Sequence, residues 1–493
     1  MSYSVLKSGT DIRGVASPLG GREVNLTSEA VYDITAAFAV WYINKYEKDP
    51  SELRVSVGHD SRITGEAIAG KVKAALTDAG INVLDCGLAS TPAMFMTTVD
   101  LKSDAAVQIT ASHHPFDRNG LKFFTPDGGL DSPDISEITA LADNGETVVN
   151  DRKGVVIPTE YMTLYAARLR KLICDSVGKT EEEQPLKGYK IIVDAGNGAG
   201  GFYAGDVLAR LGADITGSQF LEPDGMFPNH IPNPENEEAM KSICSAVKKN
   251  GADLGIIFDT DVDRAGCVGA DGEEINRNRL IALAAYMVSQ GKKGVTVVTD
   301  SVTSDGLKEY IENTLGGVHY RYRRGYKNVI NKAQELCRKG TDCPLAIETS
   351  GHAALRENYF LDDGAYLVTK IVIELARGND IEKILAPLKM PAEECEIRFN
   401  ILVPDFKEYG ERVIKELEAY AALKPEYKIA DDNREGIRVS TPHGFFLLRL
   451  SVHDPVMPMN FESNVKGGIK RDMEDLKEFF SRFDGLDTSP LTV

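Results

Sequence analysis

The sequence predicts an α/β protein with repeated units and a final segment of a different, α+β kind. Three short apolar runs, residues 105–109, 254–258 and 345–347, each end in a polar loop. Apolar residues at helical spacing lie between such runs, and this alternation is typical of α/β layers with functional loops at the carboxyl ends of strands. The repetition indicates three related units, whereas the last segment has the alternating pattern of a half-buried sheet.

Length, charge and cysteine content limit the class of protein. A chain of 493 residues is expected to form roughly three or four domains. The net charge of -18 argues against nucleic acid, although a local basic cluster would still bind a small phosphorylated ligand. The sequence shows no signal peptide and no apolar run of membrane length. Its seven scattered cysteines are typical of reduced thiols in a cytoplasmic protein.

The first unit begins with a charged loop and then alternates between helix and strand. Residues 7–14 contain two glycines, and a turn is their simplest interpretation. Ile34 and Phe38 recur at helical spacing and predict a helix that faces the core. Residues 53–57 predict a strand, and the polar loop 58–62 and a second helix follow it.

The strand predicted at residues 105–109 leads into a loop with a serine and two histidines before a proline. Ser112 is either a nucleophile or a turn residue, and the local sequence favours the turn. His113 follows it directly. Beyond the loop, Asn119 and Gly120 predict a turn into a further strand, which carries Lys122.

A glycine-rich loop follows the strand predicted at residues 189–194. Gly196, Gly198 and Gly201 match the dinucleotide-binding fingerprint by their spacing. The fingerprint is a weak signal, and the acidic residue expected further along the chain is not clearly placed. A tight strand-to-helix turn is therefore the preferred interpretation, and a nucleotide-dependent oxidoreductase is the alternative.

Three aspartates, Asp259, Asp261 and Asp263, follow the strand predicted at residues 254–258. Carboxylate oxygens in such a cluster suit Mg²⁺, which completes its octahedron with phosphate or water. An EF-hand is excluded, because Arg264 stands where that loop needs glycine and Ala270 stands where it needs glutamate. A solvated acidic loop is the alternative, but Arg264 is natural where a phosphate lies beside the metal.

The third unit contains a basic run and a further polar loop. The strand predicted at residues 294–299 is followed by the run 321–327, which is either a solvated face or a phosphate-binding loop. Glu348 and Ser350 follow a short strand and can bind sugar hydroxyls, while His352 can bind a hydroxyl or a phosphate.

The final segment predicts a strand, a helix and a hairpin, at residues 394–403, 406–422, 436–440 and 444–450. The hairpin ends in Arg449, Ser451 and His453, whose donors suit a phosphate dianion. From this segment alone, an ordinary hairpin turn is the alternative.

Taken together, these loops resemble the α-D-phosphohexomutase superfamily, the phosphoglucomutase/phosphomannomutase group, in the family's order over nearly the whole chain. Residues 110–115 resemble its phosphoserine motif, 259–264 its metal loop and 348–352 its sugar-binding loop. The opening at residues 9–14 also fits, and Lys122 matches the family's acid/base lysine. The last loop departs from the usual Arg-x-Ser-x-Thr-Glu-Pro, because His453 and Asp454 replace threonine and glutamate.

The resemblance implies three related α/β domains with mixed sheets and a C-terminal α+β domain, all around a central cleft. The expected boundaries are 1–157 for the phosphoserine-loop domain, 158–272 for the metal-loop domain, 273–390 for the sugar-binding-loop domain and 391–493 for the phosphate-binding domain. It also implies a cytoplasmic monomer or homodimer with a small sugar phosphate as its partner, and no nucleic acid or membrane.

The implied activity is transfer of a phosphoryl group between the 1- and 6-positions of glucose and/or mannose phosphate, through a phosphoserine and a hexose 1,6-bisphosphate. The alternatives are a phosphoglucosamine mutase, a nucleotide-binding oxidoreductase and a non-catalytic sugar-phosphate-binding relative. The implied catalytic residues are Ser112, Lys122, His113 and Arg264, and the implied Mg²⁺ ligands are Ser112, Asp259, Asp261 and Asp263. The implied substrate-binding residues are Arg13, Arg324, Lys327, Glu348, Ser350, His352, Arg449, Ser451 and His453.

Overall fold

A computed structural model describes residues 2–451 and 454–491. The chain divides into two compact units. The first unit comprises Met1–Asn276 and Ser350–Ile381, and the second comprises Arg277–Thr349 and Glu382–Val493. No described helix combines the length and the apolar character that a membrane span requires.

The first unit begins with a mixed eight-stranded sheet. Its strands are β1 (Lys7–Ser8), β2 (Asp11–Val15), β3 (Arg54–His59), β4 (Asn82–Leu88), β5 (Ala105–Ile109), β6 (Arg118–Thr125), β7 (Gly128–Gly129) and β8 (Val156–Pro158). Their order is β1-β2-β6-β5-β3-β4-β8, and β7 pairs with β6. Strand β3 runs parallel to both β4 and β5, whereas β5 and β6 are antiparallel.

Five helices accompany this sheet: α1 (Ser28–Tyr46), α2 (Gly65–Asp78), α3 (Thr91–Asp100), α4 (Ser132–Asp143) and α5 (Tyr161–Val177). Helix α1 begins where the Thr27 side chain accepts a hydrogen bond from the Ala30 backbone N–H. Its buried face contributes Ile34, Phe38 and Trp41 to the core of this sheet, as the helical spacing predicted. Every residue of β5 is buried, because a strand inside a covered sheet has apolar neighbours on both faces.

Residues 191–275 of the first unit form a four-stranded sheet in the order β12-β11-β10-β9. Its elements are β9 (Ile191–Asp194), α6 (Glu237–Asn250), β10 (Leu254–Phe258), β11 (Ala265–Gly269) and β12 (Glu274–Ile275). Strands β9 and β10 are parallel, and β10 and β11 are antiparallel. The reversal between β10 and β11 produces the sharp loop that carries the three aspartates.

The second unit begins with three parallel strands in the order β14-β13-β15. Its elements up to residue 347 are α7 (Arg277–Ser289), β13 (Thr296–Asp300), α8 (Asp305–Glu309), β14 (Val318–Tyr322), α9 (Tyr326–Arg338) and β15 (Leu345–Ile347). The chain then returns to the first unit with the antiparallel pair β16 (Ala353–Leu355) and β17 (Leu361–Asp362), followed by α10 (Gly364–Ala376).

The chain completes the second unit with an antiparallel sheet in the order β18-β22-β21-β20-β19. After α11 (Ile381–Leu385), its elements are β18 (Glu393–Asn400), α12 (Phe406–Ala422), β19 (Lys428–Ile429), β20 (Ile437–Ser440), β21 (Gly444–Leu448), β22 (Val456–Ser463) and α13 (Gly468–Phe480). A separate core packs both helices on one face of this sheet. The mixed sheets and this antiparallel sheet confirm the predicted fold class.

Strand boundaries differ from the predictions by a few residues where apolar character does not coincide with pairing. The strand predicted at 53–57 is Arg54–His59, because Gly58 and His59 continue the ladder to β5. The strand predicted at 294–299 is Thr296–Asp300, and Asp300 is its last paired residue. The basic run 321–327 is also divided, since Arg321 belongs to β14.

Candidate active site

Ser112 lies in a tight loop immediately after β5. Its backbone has a φ of 52°, in the left-handed region, and its N–H donates to the Thr110 hydroxyl at 2.9 Å. The Ser112 hydroxyl oxygen lies 3.2 Å from Arg264 Nη2 and 3.4 Å from Asp259 Oδ2, and both residues belong to the loop after β10. A serine that looks like a turn residue in the local sequence therefore has charged partners about 150 residues away.

The carboxylates of Asp259, Asp261 and Asp263 form one buried cluster. One oxygen from each lies within 4.8 Å of those of the other two. Asp261 Oδ1 accepts no hydrogen bond from any described residue. A buried carboxylate oxygen without a donor is costly unless a cation accompanies it. The donor set is all oxygen, as Mg²⁺ prefers, and these residues fit such an ion.

Lys122 and Arg264 are the cations of this cluster. Lys122 lies on β6, and its Nζ atom is 3.1 Å from Asp261 Oδ2 and 2.5 Å from Asp263 Oδ2. Arg264 is fully enclosed, and its Nε donates to Asp259 Oδ2 at 3.1 Å. Both cations thus contact the same carboxylates that the sequence predicts as metal ligands.

Neighbouring charges separate the pKa values of two of the aspartates. Burial and the nearby negative charge of Asp263 raise the pKa of Asp259 well above its ordinary value. Burial also disfavours the charged form of Asp263, but the positive charges of Lys122, His352 and Arg264 outweigh it and lower its pKa. The cluster therefore concentrates more negative charge than it can hold ionised by itself, which again suits a divalent cation.

Two histidines of the first unit have opposite electrostatic surroundings. Burial and the positive charge of Arg264 lower the pKa of His113 to about 2, so its ring is neutral, and its Nδ1 lies 3.3 Å from the Ser112 hydroxyl. His352 forms a close ion pair through Nδ1 with Asp362. Burial alone would lower the pKa of His352, but Asp362 and Asp263 raise it to about 9.

The remaining predicted residues of the first unit are Arg13 and Ser350. Arg13 lies on β2 and forms an ion pair of 2.8 Å with Asp11. Ser350 is buried, and its hydroxyl has no hydrogen-bond partner among the described residues. A buried hydroxyl of this kind can bind a ligand without first breaking a bond within the protein.

In the second unit, Arg324 follows the carboxyl end of β14, and Glu348 follows that of β15. Glu348 Oε1 accepts a hydrogen bond of 2.6 Å from the Gly325 N–H, at the start of α9, and Lys327 lies in the first turn of that helix. Arg324 Nε is 3.8 Å from the buried carboxylate of Asp300, which also accepts a bond of 2.7 Å from the Thr349 hydroxyl.

The predicted phosphate loop of the last domain begins at Arg449. Arg449 Nη2 lies 3.3 Å from Asn460 Oδ1 and 3.6 Å from Glu396 Oε2. The Ser451 hydroxyl accepts a bond of 3.2 Å from the Asp454 N–H. His453 lies outside the described residues. The basic run is not one surface, because the buried Arg321 side chain lies 3.0 Å from the Asp305 carboxylate.

Several residues beside these sites were missed at the sequence level. They are Thr91, whose backbone N–H donates to the Asp261 carbonyl at 2.9 Å; Asp362, which pairs with His352; Asp300; and Glu435, whose Oε2 accepts from the Arg324 N–H at 3.1 Å. Asp300 ends a buried strand, and that position was the one signal that could have identified it.

Comparison with known proteins identifies the family. Three matches carry the descriptions "Phosphoglucomutase/phosphomannomutase, alpha/beta/alpha domain I", "domain II" and "domain III", at residues 6–149, 164–272 and 276–390. A phosphoglucomutase of Neisseria gonorrhoeae is 31% identical over 462 residues, which cover 94% of this chain and 93% of the relative. A phosphomannomutase/phosphoglucomutase of Pseudomonas aeruginosa is 30% identical, with coverage of 94% and 92%.

The fold is shared with solved structures as well. The crystal structure of a phosphoglucomutase/phosphomannomutase family protein from Burkholderia thailandensis has a TM-score of 0.79 and 26% identity, and covers 98% of each chain. The protein is thus an isomerase of the intramolecular phosphotransferase type, a phosphohexomutase. It belongs to the phosphoglucomutase/phosphomannomutase family of the α-D-phosphohexomutase superfamily, and the predicted resemblance is confirmed.

Proposed function

We propose that this enzyme moves a phosphoryl group between the 1- and 6-positions of glucose and/or mannose phosphate, through phospho-Ser112 and a hexose 1,6-bisphosphate. The names of its relatives, phosphoglucomutase and phosphomannomutase/phosphoglucomutase, support these sugars. One geometric observation carries the assignment of Ser112. Its hydroxyl oxygen lies 3.2 Å from the Arg264 guanidinium and 3.4 Å from the Asp259 carboxylate, beside an all-oxygen cluster that suits Mg²⁺.

The residues around Ser112 supply the charge that phosphoryl transfer needs. Positioning and electrostatic stabilisation provide most of the catalysis in this reaction class. We assign Asp259, Asp261 and Asp263, with a phosphoserine oxygen, to Mg²⁺, which when bound neutralises charge on the transferring group. Arg264 already donates toward the Ser112 hydroxyl, and one preorganised donor of this kind typically contributes about 3 kcal/mol to lowering the barrier.

Proton transfer is assigned to Lys122, with His113 in support. The attacking sugar hydroxyl must lose a proton and the leaving oxygen must gain one, so the site must supply both a base and an acid. The Lys122 ammonium is buried near the aspartates, and the neutral ring of His113 lies within reach of the serine hydroxyl. Lys122 is preferred because its position matches the acid/base lysine of the family.

Substrate binding is assigned to two groups of residues, one in each unit. In the first unit they are Arg13, Ser350 and His352, and in the second they are Arg324, Lys327, Glu348, Arg449, Ser451 and His453. Glu348 and Ser350 are proposed to bind sugar hydroxyls, while the arginines hold the phosphate that is not reacting. Asp300 and Glu435 support this assignment, because their carboxylates contact the side chain and the backbone of Arg324.

Further proposals concern organisation and location. We propose the four-domain division at residues 157, 272 and 390, which the matches at 6–149, 164–272 and 276–390 support. We also propose a cytoplasmic monomer or homodimer, and the seven free cysteines are consistent with a reducing compartment.

A coupled assay tests the proposed reaction directly. The enzyme is supplied with Mg²⁺, a trace of the matching 1,6-bisphosphate, and the 1-phosphate of glucose, mannose or glucosamine in turn. We expect turnover with the glucose or mannose compound, and intact-mass analysis should show one added phosphoryl group on wild type but none on Ser112→Ala. Turnover with glucosamine 1-phosphate alone would assign the enzyme to phosphoglucosamine instead, and full activity of Ser112→Ala would contradict the phosphoserine.

A further inference from the structure

The loop after β3 carries a charged pair that the assigned mechanism does not use. Asp60 and Arg62 follow the carboxyl end of β3, which is paired with β5, so this loop lies beside the Ser112 loop. The side chains of both residues are completely buried. Burying two charges is costly unless their partners are well placed. The partners of Arg62 therefore indicate what the pair is for.

The Arg62 guanidinium donates to four backbone carbonyl oxygens of one short segment. Its Nη1 donates to the carbonyls of Pro115, at 2.7 Å, and Arg118, at 2.9 Å. Its Nη2 donates to the carbonyl of His114, at 2.6 Å, and closely to that of Ser112 itself. A planar cation with fixed donor directions thus gathers four carbonyl oxygens of the segment 112–118 around one point.

Asp60 holds this guanidinium in place. Its Oδ1 accepts the Arg62 backbone N–H at 2.9 Å, and its Oδ2 lies 3.3 Å from Arg62 Nε. The Asp60 backbone N–H donates to the carbonyl of Ile109, the last residue of β5. On the other side, the ring of Phe227 lies 5.3 Å from the guanidinium carbon, within cation–π range. The Arg62 fork is therefore fixed from several directions.

The Ser112 loop needs such a support. A non-glycine residue at a φ of 52° is intrinsically strained, and a strained residue persists only where its surroundings over-determine it. The strain has a purpose here, because this conformation leaves the Ser112 hydroxyl 3.2 Å from Arg264 and 3.4 Å from Asp259. Four bonds from one cation to the segment that begins at Ser112 are a direct means of holding it.

We infer that Arg62, oriented by Asp60, is a positioning residue that fixes the Ser112 backbone so that its hydroxyl or phosphoryl group stays in line for transfer. The inference rests on the proposed role of Ser112. Arg62 reaches the reaction through backbone carbonyls alone, so its loss should slow transfer without weakening sugar binding. Lysine cannot replace it, because an ammonium donates from a single point and cannot serve four separated acceptors.

The test compares Arg62→Lys with the matched control Arg170→Lys. Arg170 also lies in the first unit, and it bridges a carboxylate, Glu181, and a backbone carbonyl, that of Asp206, away from the site. We expect kcat of Arg62→Lys to fall about 100-fold, as a small misplacement of a reacting group does, with KM changed by less than about twofold. Phosphorylation of Ser112 by hexose 1,6-bisphosphate, followed by intact mass, should slow by a similar factor. Arg170→Lys should keep kcat within about twofold.

Several outcomes would overturn the inference. One is that kcat of Arg62→Lys stays within about threefold of wild type, and another is that the substitution changes only KM. A loss of activity no larger than the loss of folded protein, measured by circular dichroism, would also overturn it. If Arg62→Lys does not fold, Asp60→Asn decides, with an expected fall of about 10-fold in kcat at unchanged KM. A wild-type enzyme without turnover or serine phosphorylation would instead contradict the proposed function itself.

Discussion

Two loops of the first unit follow buried strands in the same way, but their backbones are used differently. The Ser112 loop follows β5, and its carbonyl oxygens accept hydrogen bonds from Arg62. The Ser112 side chain lies beside Arg264 and Asp259. The glycine-rich loop follows β9, and the N–H groups of Asn197, Gly198 and Ala199 all donate at 2.8 Å to carbonyl oxygens of the protein. These three amides are therefore not open to bind the pyrophosphate of a dinucleotide.

The glycines of the second loop are explained by close packing. A Cβ atom on Gly198 would lie 2.6 Å from the Thr260 carbonyl oxygen, and one on Gly201 would lie 2.2 Å from that of Leu221. The fingerprint spacing thus reflects close contact between backbones in a tight turn. The comparison teaches that a loop after a strand becomes a site where its side chain meets charged partners, as Ser112 meets Arg264 and Asp259, whatever its glycine content.

The largest effect is expected at the serine loop itself. Replacing Ser112 with Ala removes the phosphoryl carrier, and mutase activity should fall by about 10⁴-fold or more, as it does for other catalytic nucleophiles. The coupled assay and intact mass measure this. The melting temperature should stay close to that of wild type, because alanine occupies the same backbone conformation. Residual activity above a few per cent would mean that Ser112 is not the phosphoryl carrier, and its loop would then differ less from the glycine loop.

The acidic cluster beneath the serine should give the next largest effect. Asp261→Asn removes one charge from the oxygen donors, and we expect a loss of activity on the order of 100- to 1,000-fold. Treatment of wild type with EDTA should produce a comparable loss that Mg²⁺ reverses. Asp271→Asn, an exposed aspartate after β11, is the matched control and should leave activity unchanged. Full turnover in EDTA would contradict a metal at this loop.

The glycine loop should respond in stability and leave catalysis intact. Gly201→Ala forces a Cβ atom against the Leu221 carbonyl and should cost about 3 kcal/mol of unfolding free energy, measured by urea denaturation. Gly205→Ala has open space around its Cβ position and should be close to neutral. Titration with NAD(P)H should give no fluorescence change. Saturable nucleotide binding would mean that the glycine loop is a nucleotide site. Unchanged stability of Gly201→Ala would contradict close packing as the reason for this glycine.

The smallest expected effect is a difference in stability that reports backbone strain at residue 112 independently of its hydroxyl. Glycine tolerates a positive φ, so Ser112→Gly should be about 1 kcal/mol more stable than Ser112→Ala, although both variants lack the hydroxyl. Thermal unfolding of the two variants measures the difference. Equal stabilities would mean that the loop relaxes when the hydroxyl is removed, and that Arg62 does not hold it in the left-handed conformation.

Much of the fold could be predicted because local apolar character coincides with burial. The runs at 105–109, 254–258 and 345–347 are strands β5, β10 and β15 with the predicted bounds, and 406–422 is helix α12. The ends of β3 and β13 could not be placed as well, because Gly58, His59 and Asp300 are paired without being apolar. Pairing partners lie elsewhere in the chain, and the local pattern carries no trace of them.

The candidate site divides in a similar way. Ser112, Asp259, Asp261, Asp263 and Arg264 could be selected from their positions after buried strands and from the family resemblance. Arg62 and Asp362 could not, because an isolated Arg or Asp is usually a solvated charge. Arg62 differs only in its acceptors, which are carbonyl oxygens 50 to 56 residues further along the chain.

The sequence by itself determined which segments form strands and helices, which loops carry reactive groups, and which family the chain resembles. Those properties depend on residue type and on spacing over a few positions. Only the tertiary structure decided that the Ser112 hydroxyl lies beside Arg264, that the amides of residues 197–199 are bonded within the protein, and that four carbonyls of the serine loop converge on Arg62. These are distances between atoms far apart in the chain, and they are set by how whole sheets pack and pair.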